Sequence, residues 1–232
     1  MWGRMRFNFL TISFLLLSWH AQSISFKDLQ WEVASKAEGI TVYTPKSFDH
    51  KSGIVPIKFE GVLNHHASKV ISVLADDTRK KEWLPRTEKT KILEKKSLSD
   101  FTVYYRYSSP WPFLDRDFVI RNLAEVNKEE KWVKVKLESV EHAKDPGRED
   151  KSTVRGYSYG GYSIIQALDD HTTRVEMGFM NDFGGNIPTW IINIVQKKWP
   201  YGFIKNLRSQ LAKKDIKINP DFEWKNQAHS LE

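Results

Sequence analysis

Residues 101–125 read FTVYYRYSSPWPFLDRDFVIRNLAE, two alternating segments separated by a proline-containing connection. Alternate side chains of a strand face opposite sides of its sheet. In Phe101 to Tyr107 one face carries Phe101, Val103, Tyr105 and Tyr107, and the other carries Thr102, Tyr104 and Arg106. In the segment from Asp117 to Glu125, Phe118, Ile120 and Asn122 share a face, opposite Asp117, Val119 and Arg121. With Phe101 and Phe118 turned inward, this region predicts a sheet face rich in aromatic and apolar groups. A slip of one residue would bring Arg106 or Arg121 inside instead.

The same pattern extends over Thr90 to Asn181. Further strands are expected at Lys91 to Lys96, Trp132 to Val140, Val154 to Leu168 and Thr173 to Asn181, with polar turns at Lys144 to Lys151 and Asp169 to His171. An uninterrupted antiparallel meander follows. Val175, Met177, Phe179 and Asn181 take the inward phase of the last strand. Tyr162, Ile164 and Gln166 are assigned that phase in the strand before it, where Gly160-Gly161 marks a bulge.

Upstream, Phe26 to Ala37 reads as a short, partly helical entry, followed after Gly39 by a first hairpin at Ile40, Val42 and Tyr43. Ile54 to Leu63 is a strand whose Pro56 suggests an edge or bulge. Asn64 then stands as an N-cap before a helix from Ala67 to Trp83. Downstream, Asn186-Ile187-Pro188 opens a long amphipathic helix, Thr189 to Lys214, with Ile192, Val195, Trp199, Phe203, Leu207 and Leu211 near one stripe. Pro200 and Gly202 are expected to kink or split it. The chain from Asp215, residues 215–232, reads as a loose polar tail. Strands closed by one long helix make a single α+β domain, residues 24–214. A strongly twisted sheet gripping a helix leaves a cavity between them; the alternative is that the inward residues pack against the helix with no void.

The chain has 232 residues, 40% of them hydrophobic, including 13 Phe, 8 Tyr and 9 Trp, enough to fill a sizeable core and too apolar for disorder. Residues 1–23 read as a signal peptide: Arg4 and Arg6 precede an uncharged run from Phe7 to Leu17, with cleavage expected after Ser23. The run is too short for a spanning helix, which needs roughly 20 apolar residues. Localisation is therefore expected to be exported, periplasmic or secreted. Removing Arg4 and Arg6, with no acid in the segment, takes the net charge from +7 to +5. That excess suits anionic lipid surfaces or nucleic acid, and export disfavours nucleic acid. The absence of cysteine excludes disulfides, thiolate metal sites, a cysteine nucleophile and a lipoprotein anchor. The seven histidines lack metal-ligand spacing, and no nucleophile-elbow, phosphate-loop or dinucleotide motif occurs. No catalytic residue, metal or cofactor is expected.

Several segments together resemble the START (steroidogenic acute regulatory protein-related lipid transfer) family over about residues 28–214. The most specific is Pro110-Trp111-Pro112-Phe113-Leu114-Asp115-Arg116-Asp117-Phe118-Val119. Trp31 with Gly39 to Tyr43, Val73 to Asp77 leading to Trp83, and Gly184 to Pro188 support it. The resemblance implies a helix-grip fold, a curved sheet wrapped around the C-terminal helix, and a monomer that holds one lipid or sterol-like guest without performing chemistry. The expected ligand-binding wall is the inward set above with Ile191 and Val195 of the helix. Several family members carry an inward acid and an inward arginine on the strands flanking the PWP segment; Tyr105 and Asn122 stand there in this chain. The resemblance thus implies a neutral or hydroxyl-bearing guest, oriented by Tyr105, Asn122, Gln166 and Asn181. Lys197, Lys198, Lys205, Arg208, Lys213 and Lys214, beside Trp190, Trp199 and Tyr201, are suited to transient contact with an anionic membrane, and Gly184-Gly185 to a moving lid. Two rivals remain open: a cyclase or aromatase of related fold, and an interaction module without a ligand.

Overall fold

The computed structural model describes residues 24–222. The alternating segments form strands β1 (Trp31–Ala37), β2 (Ile40–Pro45), β3 (Ile57–Leu63), β4 (Thr87–Lys95), β5 (Asp100–Tyr107), β6 (Asp115–Asn127), β7 (Trp132–Ser139), β8 (Thr153–Arg155), β9 (Tyr157–Ala167) and β10 (Thr173–Asp182). They make one sheet in the order β1-β2-β3-β10-β9-β7-β6-β5-β4, antiparallel throughout, and the short β8 pairs with β6 in parallel beside this path. Helices α1 (Ala67–Ala75) and α2 (Thr189–Leu211) lie against its inner face.

The core explains why α2 docks. Phe203, Ile204, Leu207 and Leu211 of the helix pack on Ile40, Val42 and Phe59 of the sheet and on Val70 and Ile71 of α1, all buried. Burying each such side chain contributes about 1.5–3 kcal/mol. Phe203 sits at the centre of an aromatic group, its ring centroid 4.7 Å from that of Trp199, 5.5 Å from Trp83 and 5.8 Å from Phe59.

Several boundaries differ from the sequence expectation. The entry is a single 3-10 turn, Phe26–Asp28, before strand β1. Helix α1 is capped by His66, whose Nδ1 accepts from the Ser68 N–H at 3.2 Å, in place of Asn64. It ends at Ala75 because Asp76 turns extended and its Oδ1 accepts the N–H and hydroxyl of Thr78, an aspartate competing with helical hydrogen bonding. The strand expected over 154–168 breaks at Gly156, where a Cβ would lie 2.2 Å from the Phe118 ring. Helix α2 is continuous through Pro200, with no split; the proline only deprives the Gln196 carbonyl of its i+4 partner. Nor is the chain after α2 loose throughout. Ile216 and Phe222 pack on the core, and the Asn219 N–H donates to Ser72 Oγ at 2.9 Å. The signal peptide expected at 1–23 and the part of the expected tail beyond 222 lie outside the described residues.

Candidate functional site: an internal cavity

A cavity of about 860 Å³ separates the inner sheet face from α2 and the loop after α1. Its wall contains Phe101, Tyr105 and Tyr107 of β5, Phe118, Ile120 and Asn122 of β6, and Met177, Phe179 and Asn181 of β10, residues the alternation pointed to, together with Ile191 and Val195 of α2. The register accounts for the first two groups: Phe101 pairs with Asn122, Val103 with Ile120 and Tyr105 with Phe118, and directly opposed residues share a face. Val103 and Val175 lie on the same inner face by their pairing but are fully buried and do not reach the cavity.

Tyr162, Ile164 and Gln166 are on the other face, a correction to the phase expected for β9. Met177 is opposite Ser163 and Val175 opposite Ile165, so Ser163 and Ile165 point inward. The ladder skips one residue between Met180 and Asn181, where Gly160 has φ of 144°, and Asn181 pairs with Ser158. One extra residue reverses the phase beyond it. Tyr162 is therefore outside, where Phe26 packs edge-on against it at 5.4 Å and its hydroxyl donates to Glu176 at 2.8 Å.

Arg106 and Arg121 are outside, as the register required. Arg106 bonds Asp115 and Asp150, and Arg121 holds Asp100 with two hydrogen bonds of 2.9 and 2.7 Å. The expectation of an uncharged wall nevertheless fails, because Lys80 and Arg116 both line the cavity. Arg116 sits opposite Tyr107, two residues before Phe118, so extending the alternation by one step points to it. Its guanidinium donates to the Leu114 carbonyl, to that of Phe183 at 3.0 Å and to that of Gly184 at 3.3 Å, tying the PWP loop to the loop before α2. Burial pulls its pKa below the usual value. Gly184 takes φ of 65° there, and a Cβ would lie 2.5 Å from the Arg155 carbonyl.

Lys80 comes from the short turn Lys80–Glu82, within the stretch expected to continue the helix to Trp83. Its Nζ lies 3.6 Å from Asp77 Oδ1, bonds the Leu74 carbonyl and lies over the Trp83 ring. Burial lowers its pKa while Asp77 opposes the shift. Tyr105 donates to Asp77 Oδ1 at 3.3 Å, and burial followed by the nearby carboxylate pushes its pKa well up; burial does the same to Tyr107. Asn122 satisfies one amide N–H on the Ile120 carbonyl at 3.2 Å.

Two helix residues also depart from expectation. Trp199, expected both on the apolar stripe and beside the membrane-facing lysines, keeps to the stripe, stacking on Phe203 and lining the cavity, and the half-buried Tyr201 bonds Ser35 at 2.7 Å. Gln196, which the sequence reading passed over, is 1% exposed and lines the cavity. Among the described residues, no group of three or more His, Cys, Asp or Glu side chains is placed to hold a metal ion.

A curved antiparallel sheet closed by a C-terminal helix around a largely apolar cavity defines an α+β helix-grip domain. The chain belongs to the START domain family, whose model matches residues 21–215, as the PWP-containing segment had suggested. It is 28% identical over 180 residues to the phosphatidylcholine transfer protein of Bos taurus, covering 76% of this chain and 82% of that one. A STAR-related lipid transfer protein fragment from Xanthomonas axonopodis superposes with a TM-score of 0.67 at 27% identity, covering 79% of this chain and 99% of that one. Human STARD10 shares the fold, with a TM-score of 0.71 at 20% identity over 79% of this chain and 74% of that one.

Proposed function

We propose that the domain takes one lipid into the cavity and carries it through water between membranes, without performing chemistry. The observation that carries this reading is a cavity of about 860 Å³ bounded mainly by aromatic and aliphatic side chains, within the range of about 300–1,000 Å³ usual for small-molecule sites. Each CH₂ moved from water to such walls contributes about 0.8 kcal/mol. The cations Lys80 and Arg116 on the wall favour a guest with an anionic or zwitterionic end, and the similarity to phosphatidylcholine transfer proteins supports a phospholipid over a sterol. The test is native mass spectrometry of protein from its own host, followed by lipid extraction. One stoichiometric phospholipid is the expected result. A sterol would overturn the preference for phospholipid, and a protein that is empty and refuses phospholipid, sterol and fatty acid would overturn the carrier.

Loading requires contact with a bilayer, and two features supply a surface for it. Trp111 and Trp190 are 92% and 64% exposed, on the two segments adjoining the Arg116 tie. Exposed Lys197, Lys198 and Lys205 lie along α2; cations near an anionic membrane contribute up to about 1 kcal/mol each. Flotation with anionic liposomes should weaken when these three lysines become glutamate, and undiminished flotation would remove the idea. The reading also includes export with removal of residues 1–23, which N-terminal sequencing of the secreted or periplasmic protein checks.

A further inference from the structure

We propose that the segment after α2 forms the end wall of the cavity, and that Phe222, the side chain it sets there, determines how long a lipid the domain accepts. The assignment rests on the lipid-carrier reading above, with entry beside the exposed Trp111 and Trp190. The cavity runs the length of β5: Ser108, Ser109 and Pro110 line it beyond one end of the strand, and Ser97, Leu98 and Ser99 beyond the other. From Phe101 to Tyr107, at about 3.3 Å per residue, the strand covers about 20 Å. An acyl chain in one leaflet spans roughly 15 Å, half the thickness of a bilayer's hydrocarbon core. A guest of that length meets whatever bounds the far end.

Register places the C-terminal end of α2 at that far end. Arg208 donates to the carbonyls of Glu38 at 3.0 Å and Val62 at 3.3 Å. Val62 pairs with Arg174, Arg174 with Gln166, Gln166 with Trp132 and Trp132 with Asn127, the last residue of β6. The first residue of β5, Asp100, pairs nearby with Leu123. The chain after α2 is then tied to α1 and the turn that follows it. Arg79 holds Asp215 at 2.9 Å, Ile216 packs on the core, and the Asn219 N–H donates to Ser72 Oγ at 2.9 Å. Asn219 accepts the Asp221 N–H on its side chain and the Phe222 N–H on its carbonyl, both at 3.0 Å. This tight turn returns the half-buried Phe222 to the core, where it lines the cavity. Leu98 and Val126 line the same end and are 43% and 47% exposed, so hydrocarbon pushed past Phe222 would lie in water. Whichever end of the guest is deepest, the phenyl ring limits its depth.

The experiment equilibrates the mature protein with vesicles holding equal amounts of fluid diacyl phosphatidylcholines, from dimyristoleoyl to dierucoyl, and identifies the bound species by native mass spectrometry. Chains that fit exchange one apolar surrounding for another, so wild type should take them alike up to a limit. Beyond it, occupancy should fall about 4-fold for each CH₂ left in water. Phe222→Ala should move the limit to longer chains by at least one member of the series, and Phe222→Trp should move it to shorter ones. Phe222→Leu, with a smaller shift, carries the test if the alanine protein does not fold. A limit that stays in place in the folded variants overturns the assignment and leaves the carrier reading standing. So does a uniform loss of all chain lengths, the mark of a segment that only supports the fold, and so does a wild type with no limit. If wild type takes up none of the series, the phospholipid reading fails and this assignment with it.

Discussion

Replacing Lys80 by methionine while leaving Asp77 in place should cost about 3–5 kcal/mol of stability, the usual penalty for a buried charge deprived of its partner. The two side chains are 7% and 6% exposed and 3.6 Å apart. At an effective dielectric constant of about 20 their attraction is about 5 kcal/mol. Desolvation of each ion costs several kcal/mol, so the intact pair is close to neutral. Without Lys80 the Asp77 carboxylate keeps the Tyr105 hydroxyl at 3.3 Å, too little to replace water. Asp77→Asn alone strands the ammonium, although its bond to the Leu74 carbonyl and the Trp83 ring face 5.6 Å away soften the loss. The double variant Asp77→Asn, Lys80→Met removes both charges and should return to within about 1 kcal/mol of wild type. Urea denaturation of the four proteins at pH 7 measures the cycle. A lysine variant within about 1 kcal/mol of wild type, or a double variant as unstable as the sum of the singles, would refute the buried-pair reasoning.

Other consequences can be checked alongside. Asp117 is fully buried and accepts from Arg155 at 2.8 and 3.0 Å, so Asp117→Ala should cost about 1.5–3 kcal/mol by chemical denaturation; a neutral result would mean the network holds nothing. Trp111→Ala should change stability by no more than about 0.5 kcal/mol because the side chain is 92% exposed, yet reduce liposome flotation; equal flotation argues against that loop as an anchor. Hydrogen bonds from Arg79, Lys213 and Gln210 hold the Glu82 carboxyl far below its usual 4.5. A depressed carboxylate contributes stability that is fully present above its unfolded pKa and is lost as pH falls through the folded one. Amide exchange around Arg208–Lys217 should therefore accelerate only below about pH 4.5, and a rate unchanged down to pH 2 after correction for intrinsic exchange would count against it.

How much of this was legible follows from the length of each periodic run. Strands β5 and β6 alternate without interruption, so two residues of known phase set the rest, and Arg106 and Arg121 fall outside as they must. The same alternation carried back from Phe118 reaches Arg116, but the residue lies in a segment that reads as connection, which hid a guanidinium facing the cavity. In β9 the phase changes at a bulge, and the sequence shows the glycines without showing which side of them counts as inside. Tyr162 was assigned to the cavity wall by phase, with Ile164 and Gln166; Phe26, remote in sequence, packs against it on the opposite face. For Gln196 a signal did exist. Ile192, Gln196, Phe203 and Leu207 are all buried on α2, and a glutamine at helical spacing within an apolar stripe needs a partner. Lys80 had no such pattern, since its burial depends on how the loop after α1 meets Trp83 and β5.

The arrangement of large and small residues explains why a void survives between sheet and helix. Aromatic side chains from β5, β6, β10 and α2 meet the cavity, yet its β9 wall includes Ser158, Ser163 and Ile165, with Gly161 on the inner face opposite Phe179. Short side chains leave space that facing aromatics do not fill, and curvature keeps the facing elements from closing on it. At about 24 cal/mol per Å³, the value for small engineered cavities, a dry void of about 860 Å³ would cost about 20 kcal/mol, more than the 5–15 kcal/mol by which domains are stable. The space is therefore occupied in solution, by water or by a guest. Water hydrates the polar part of the wall but solvates the aromatic part poorly. On the proposed reading, a lipid whose chains meet the rings would displace that water with a gain of about 0.8 kcal/mol for each CH₂ buried.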